Sequence, residues 1–223
     1  MTASRTPTPA DRRMLATNGI AATTIPDLFT SEKQGLDELK VKLREYTKPS
    51  YSSDEVFGQF CHTAKFIACP VDMAFEYAAN VYCLEEFTFS LRDFSYVGGG
   101  MYKGTEALAP DTAIYMRVES YPDSRVVDHL CAWDQGDELW MRYHFRFLDA
   151  MPTLRRPGTV VLWSNCKHPY YDRSVTDVPD YIAGPRGRSD RMWVGDIWPN
   201  FHAIHEIEAT NMKNILEYRF TNA

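Results

Sequence analysis

No stretch of this sequence approaches the about 18 consecutive apolar residues of a membrane span, and its first residues, MTASRTPTPADRR, lack the apolar segment of a secretory leader. A cytoplasmic protein with no membrane partner is expected. Basic residues are outnumbered, 24 Lys and Arg against 30 Asp and Glu, and they are scattered. The resulting net charge of −6, with no concentrated basic stripe, argues against nucleic acid as a partner. Cysteine is scarce. Cys61, Cys69, Cys83, Cys131 and Cys166 form an odd set without a CxxC pair, which disfavours a disulfide framework or zinc ribbon and leaves buried free thiols. Also missing are a Rossmann glycine fingerprint, a Walker loop, a GxSxG elbow and an HExxH pair. His202 and His205 with Glu206 diverge on a helix, so no metal and no cofactor are expected.

What is present suffices for one substantial core, since 44% of the 223 residues are hydrophobic. Residues 1–28, rich in Thr, Pro and Ala without periodicity, read as a draped arm contributing little to that core. The run TSEKQGLDELKVKLREYT offers Thr30 or Ser31 as an N-cap and spaces Leu36, Leu39, Leu43 and Tyr46 helically. The expected organisation is an N-terminal arm over 1–57, carrying this amphipathic helix outside the domain proper, followed by one domain over 58–223.

Within that domain, Gly58 to Cys69 reads as a strand, and PVDMAFEYAANVYCLEEF as two short helices or one broken one. Six alternating, aromatic-rich strands follow: FTFSLRDFSYV, MYKG, AIYMRVESY, RVVDHLCAW, ELWMRYHFRFL and TVVLWSNCK. The short turns between them, such as Pro122-Asp123-Ser124 and Asp134-Gln135-Gly136-Asp137, predict an antiparallel meander. Residues 172–198, interrupted by Pro179, Gly184-Pro185, Gly187 and Gly195, form a lid-like insertion. WPNFHAIHEIEATNMKNILEYRF then reads as a long closing helix.

This element order resembles the START-like superfamily, which includes the birch-pollen-allergen type and the polyketide aromatase/cyclases. The resemblance covers about residues 58–223 and is carried by CPVDMAFEYAANVYCLEEF, GTVVLWSNCKHPYYD and HEIEATNMKNILEYR. It implies an α+β helix-grip fold, a seven-stranded curved antiparallel sheet wrapped around a long C-terminal helix with an internal cavity. The arm and the long insertion depart from the minimal pattern, and no catalytic residue is carried over from the family.

On a helical wheel, Phe201, Ile204, Met212, Ile215 and Leu216 share a stripe that also contains His205 and Glu208. These two ionisable groups lie three residues apart on the expected buried face and so sit side by side, as an acid–base pair or as structural hydrogen-bonding groups. Closing the Asp134–Asp137 turn as a hairpin pairs Trp133 with Glu138 and puts Asp128 opposite Tyr143. Val126, Asp128, Leu130 and Ala132 then face the cavity with Met141, Tyr143, Phe145 and Phe147, while His129, Arg142, His144 and Arg146 face solvent; a one-residue slip would swap the faces and bring His129 and His144 inside. Asp128 with Tyr143 becomes a second candidate pair, catalytic or structural. Trp163, Asn165, Tyr170 and Arg117 are candidate binding residues whose faces parity leaves open.

Two functions lead as expectations, ahead of a third, an interaction module that works through the N-terminal helix. One is a cofactor-independent enzyme catalysing cyclisation, dehydration or condensation, as in polyketide-like metabolism. It would use His205, Glu208, Asp128 and Tyr143 for catalysis, and Arg117, Trp163, Asn165, Tyr170, Met141, Phe145, Phe201 and Met212 for binding a small apolar or aromatic substrate. The other is a carrier in which the same groups recognise a lipid-like or aromatic ligand. A homodimer is left open.

Overall fold

The structure, a computed structural model, describes residues 20–50, 60–109, 111–133, 138–187 and 193–222. The elements are α1 (Leu36–Ser50), β1 (Phe60–Ile67), α2 (Val71–Ala78), α3 (Cys83–Phe87), β2 (Leu91–Gly98), β3 (Met101–Glu106), β4 (Ala113–Tyr121), β5 (Val126–Trp133) and β6 (Met141–Asp149). They continue with a short α4 (Met151–Leu154), β7 (Thr159–Cys166), α5 (Asp180–Arg186) and the long α6 (Phe201–Thr221). The seven strands form one antiparallel sheet in the order β1-β7-β6-β5-β4-β3-β2. Every strand pair after the first is sequential, as the short turns predict, and β1 returns to the β7 edge. With α6 packed against β1 and α3, the architecture is a helix-grip fold.

Side-chain alternation sets the two faces of the sheet. In β4, Ile114, Met116, Val118 and Ser120 are buried while the residues between them are partly exposed. The β2–β3 hairpin turns through Gly98, Gly99 and Gly100 at φ +104, +59 and +78, where a β-carbon is strained. The expected helical pair is present as α2 and α3. Four of the five cysteines are buried free thiols, and Cys166 is exposed. No helix among the described residues is long and apolar enough to cross a membrane.

Two expectations about the N-terminal region are corrected. The arm is not a spectator: Ile25 and Leu28 are 1% and 2% exposed and belong to the main core. The predicted helix begins at Leu36 rather than near Thr30, and it is not outside the domain's packing. Leu39 buries against Phe89 and Ile207 of α6, because a lone amphipathic helix has little stability until its apolar face finds a partner. Residues 1–19, and 51–59 where the predicted boundary falls, lie outside the described residues.

One buried side chain ties the arm down. Asn211 of α6, 1% exposed, accepts a hydrogen bond from Phe29 N–H (2.9 Å) and donates to the carbonyls of Phe29 (2.7 Å) and Phe87 (3.0 Å). Asn211→Ala strands those backbone groups without water, and should lower stability by about 2–4 kcal/mol. Urea denaturation checks this; a loss under about 0.5 kcal/mol would show that the arm is not held by this residue.

Candidate functional site

The concave face of the sheet and α6 do not meet everywhere. Between them lies a cavity of about 90 Å³. Its walls are mainly apolar: Ile114, Met116, Met141, Phe145 and Trp163 from the sheet, with Phe201 and Ile204 from α6. Val194 and Ile197, from the end of the predicted insertion, complete one side; residues 188–192 of that insertion lie outside the described residues.

The inward faces follow from the strand register. β6 contributes Met141, Tyr143 and Phe145, as the alternation predicts. For β5 the expected pairing is wrong by one residue: His129 lies opposite Tyr143, Asp128 opposite His144, and Cys131 opposite Met141. The connection is longer than a closed Asp134–Asp137 turn, leaving Glu138 unpaired and exposed. A slip of one residue exchanges the faces of a strand. Thus Val127, His129, Cys131 and Trp133 face inward, and Asp128 faces outward.

Asp128 accordingly has no part in the cavity. It accepts from His144 Nδ1 at 2.7 Å on the convex face, so the predicted Asp128–Tyr143 pair does not exist. Arg117 is also on the convex face, opposite Leu130 and in an ion pair with Glu119 at 3.3 Å. Tyr170 packs against Trp140 with ring centroids 5.6 Å apart and is not a cavity residue. Met212 lies behind Trp163, in a separate small void lined with Thr63 and Val161. Asn165 does face inward and is 2% exposed, but it lies beside the cavity rather than in its wall, with an Oδ1 lacking a hydrogen-bond partner.

The remaining predicted residues converge. Tyr143, His205, Glu208, Trp163, Met141, Phe145 and Phe201 all line the cavity. His205 stacks on Trp163 (centroids 4.1 Å apart), meets the Tyr143 ring edge-on, and places Nδ1 3.4 Å from Cys61 Sγ. Burial pushes its pKa down to about 3, so the imidazole is neutral. Glu208 does not bond to His205 as its spacing suggested; its Oε1 accepts from the Phe89 N–H at 3.0 Å. Burial, with the Glu106 carboxyl adding to it, pushes the Glu208 pKa up to about 8 against the lowering by the Phe89 amide.

Sequence reasoning missed Thr88, Ser90 and Glu106 in the wall and placed His129 on the solvent side. His129 Nε2 lies 2.9 Å from the Ala78 carbonyl, which can only accept, so Nε2 carries the proton. Burial holds its pKa down near about 4. Alternation in MYKGTE, with Tyr102, Gly104 and Glu106 on the buried face, was the available signal for Glu106.

These shifts make stability depend on pH. Near pH 4.5, the ordinary Glu value, and below, Glu208 is protonated both folded and unfolded; between there and about 8 only the folded chain keeps the proton. Stability from this group therefore falls as pH rises through that window. His129 and His205 act in the opposite sense, losing stability as pH falls from 6.5 towards about 4 and about 3. Urea titrations should show Glu208→Gln gaining on the parent protein steadily from pH 4.5 to 8, by on the order of a few kcal/mol in total. A constant difference across the window would contradict a buried, protonated Glu208.

No family model matches the sequence, and no curated protein matches it. Among solved structures, the Zhui aromatase/cyclase from Streptomyces sp. R1128 is 15% identical over 72% of this chain and 93% of its own, with a TM-score of 0.46. The Aha1 dimer from Colwellia psychrerythraea is 12% identical over 71% and 96%, with a TM-score of 0.44. A START superfamily protein from Mycobacterium smegmatis is 9% identical over 74% and 99%, with a TM-score of 0.43. The helix-grip fold of this chain stands on its own element order and sheet topology.

Proposed function

We propose that this protein is a cofactor-independent enzyme that encloses an oxygen-bearing, largely apolar small molecule and moves protons on it, in a reaction of the cyclisation, dehydration or condensation type. One observation carries the reading: the Glu208 carboxyl, raised to about 8, stands in an apolar cavity with the Tyr143 phenol and the His205 imidazole. A proton-transfer group works best with a pKa near the working pH, and Glu208 has one. At about 3, His205 is too weak a base for that task and serves as a neutral hydrogen-bonding group. Burial keeps the Tyr143 hydroxyl protonated, so it can donate to a substrate oxygen.

In the proton-transfer step, ionised Glu208 takes a proton from the carbon next to a carbonyl. The C–H pair moves into the new C=C bond, and the carbonyl pair moves onto the oxygen that Tyr143 steadies. Glu208 then returns the proton to carbon, or to a departing hydroxyl that leaves as water. The aromatic and aliphatic walls supply positioning by holding the reacting ends together.

The test uses 2-tetralone, an aromatic ketone with exchangeable α-protons, dissolved in D₂O and followed by NMR. The protein should bind it saturably and accelerate α-proton exchange at least about 100-fold over buffer. Saturable binding without acceleration would overturn the enzyme reading in favour of a carrier.

A further inference from the structure

The cavity holds a second carboxyl that the proton-transfer step leaves unused. Glu106, 7% exposed on β3, lines the same space as Glu208, 7% exposed on α6. They flank the segment leading into β2: Glu208 accepts from Phe89 N–H, and Glu106 is hydrogen-bonded to Ser90 and accepts from Leu108 N–H at 2.9 Å. Each anchor uses the backbone or a hydroxyl, and among the described residues neither carboxyl has a cation as hydrogen-bond partner.

Among the described residues, the cavity wall contains no Lys or Arg. Arg92, whose charge acts on both carboxyls, is engaged with Glu32 and with the carbonyls of Thr88, Phe89 and Leu91. The other ionisable groups facing the pair are Tyr143 of β6, Cys131 and His129 of β5, and His205 of α6. Burial favours the uncharged form of every one of them.

The geometry points to Glu106 and Glu208 as a paired-carboxyl specificity element that admits uncharged ligands with a hydrogen-bond-accepting oxygen and rejects carboxylates. This rests on the cavity being a ligand site, and it assigns Glu106 a role that proton transfer alone does not require. A carboxylate entering this space would lose its water beside two acids and find no cation, which costs several kcal/mol for an unpaired buried charge. A ketone oxygen loses far less on desolvation and receives a hydrogen bond from the Glu208 carboxyl, which keeps its proton up to about 8.

Two probes of the same shape test this by calorimetry at neutral pH: 2-acetylnaphthalene, uncharged, and 2-naphthoate, an anion. The ketone should bind at least about tenfold more tightly. Glu106→Gln keeps the volume and supplies an amide donor in place of an acid, so it should narrow that preference by about threefold or more, with its circular dichroism unchanged. Equal affinities in the parent protein, or an unchanged ratio in Glu106→Gln, would overturn the assignment. Charge selection without 2-tetralone exchange would sink the enzyme reading and leave this one intact, and exchange without charge selection would do the reverse.

Discussion

Replacing Arg219 with Met should destabilise the protein by about 3–5 kcal/mol, the range for a buried ion pair that loses one partner. The guanidinium is 1% exposed and grips Glu86 with both forks, Nη1 to Oε2 at 2.9 Å and Nη2 to Oε1 at 2.8 Å. Nη2 also donates to the Ile20 carbonyl at 3.1 Å, so one side chain of α6 holds α3 and the arm together. Removing it leaves the Glu86 carboxylate, with only 15% of its side chain exposed, without a counter-charge. The loss should therefore come mostly from Glu86, and pairing Arg219→Met with Glu86→Gln should restore at least about 1 kcal/mol. Urea denaturation of the two single variants and the double variant settles it. Additive losses would show that the two groups do not act as a pair.

Glu208→Gln should slow 2-tetralone exchange by about 100-fold or more, at the low end of what a positioned acid–base group supplies, while changing ketone affinity by less than about threefold. Glutamine keeps an oxygen to accept the Phe89 N–H but has no proton to cycle near neutral pH. Over the same range, exchange catalysed by the parent protein should rise with pH and level off above about 8, where Glu208 is ionised. Asp128→Asn is the informative contrast, because that carboxylate pairs with His144 on the far side of the sheet and should leave exchange unchanged. If Asp128→Asn abolished exchange and Glu208→Gln did not, the chemistry would belong to the convex face.

The strands were legible because alternation and turn residues are local signals, and six of them joined by short connections leave few topologies. The strand faces were only half legible. β6 alternates large apolar residues against Arg and His, so its inward side is plain. β5 alternates Asp128, Leu130 and Ala132 against His129, Cys131 and Trp133, and composition does not separate those sets. Only the pairing register decides between them, and one extra residue in the β5–β6 connection reverses the outcome.

The closing helix revealed His205 and Glu208, since its spacing marks an apolar stripe and both interrupt it. The partners of these two residues were not legible. Cys61 and Phe89 come from β1 and from the segment before β2, brought to α6 only by the closed fold. The arm failed for the same reason. Ile25 and Leu28 sit in a Thr-rich segment without periodicity, and the tie that holds the neighbouring Phe29 to α6 comes from Asn211, 182 residues along the chain.

Whether a guest enters the hollow beneath α6 can be read from methionine methyl groups labelled with ¹³C. Met116 and Met141 face that hollow, whereas Met151 is exposed and Met212 is packed behind Trp163. Titration with 2-acetylnaphthalene should shift the Met116 and Met141 signals saturably and together through the ring current, leaving Met151 and Met212 in place. Shifts confined to Met151, or no saturable shift at Met116 and Met141, would show that the space between sheet and helix does not receive a ligand.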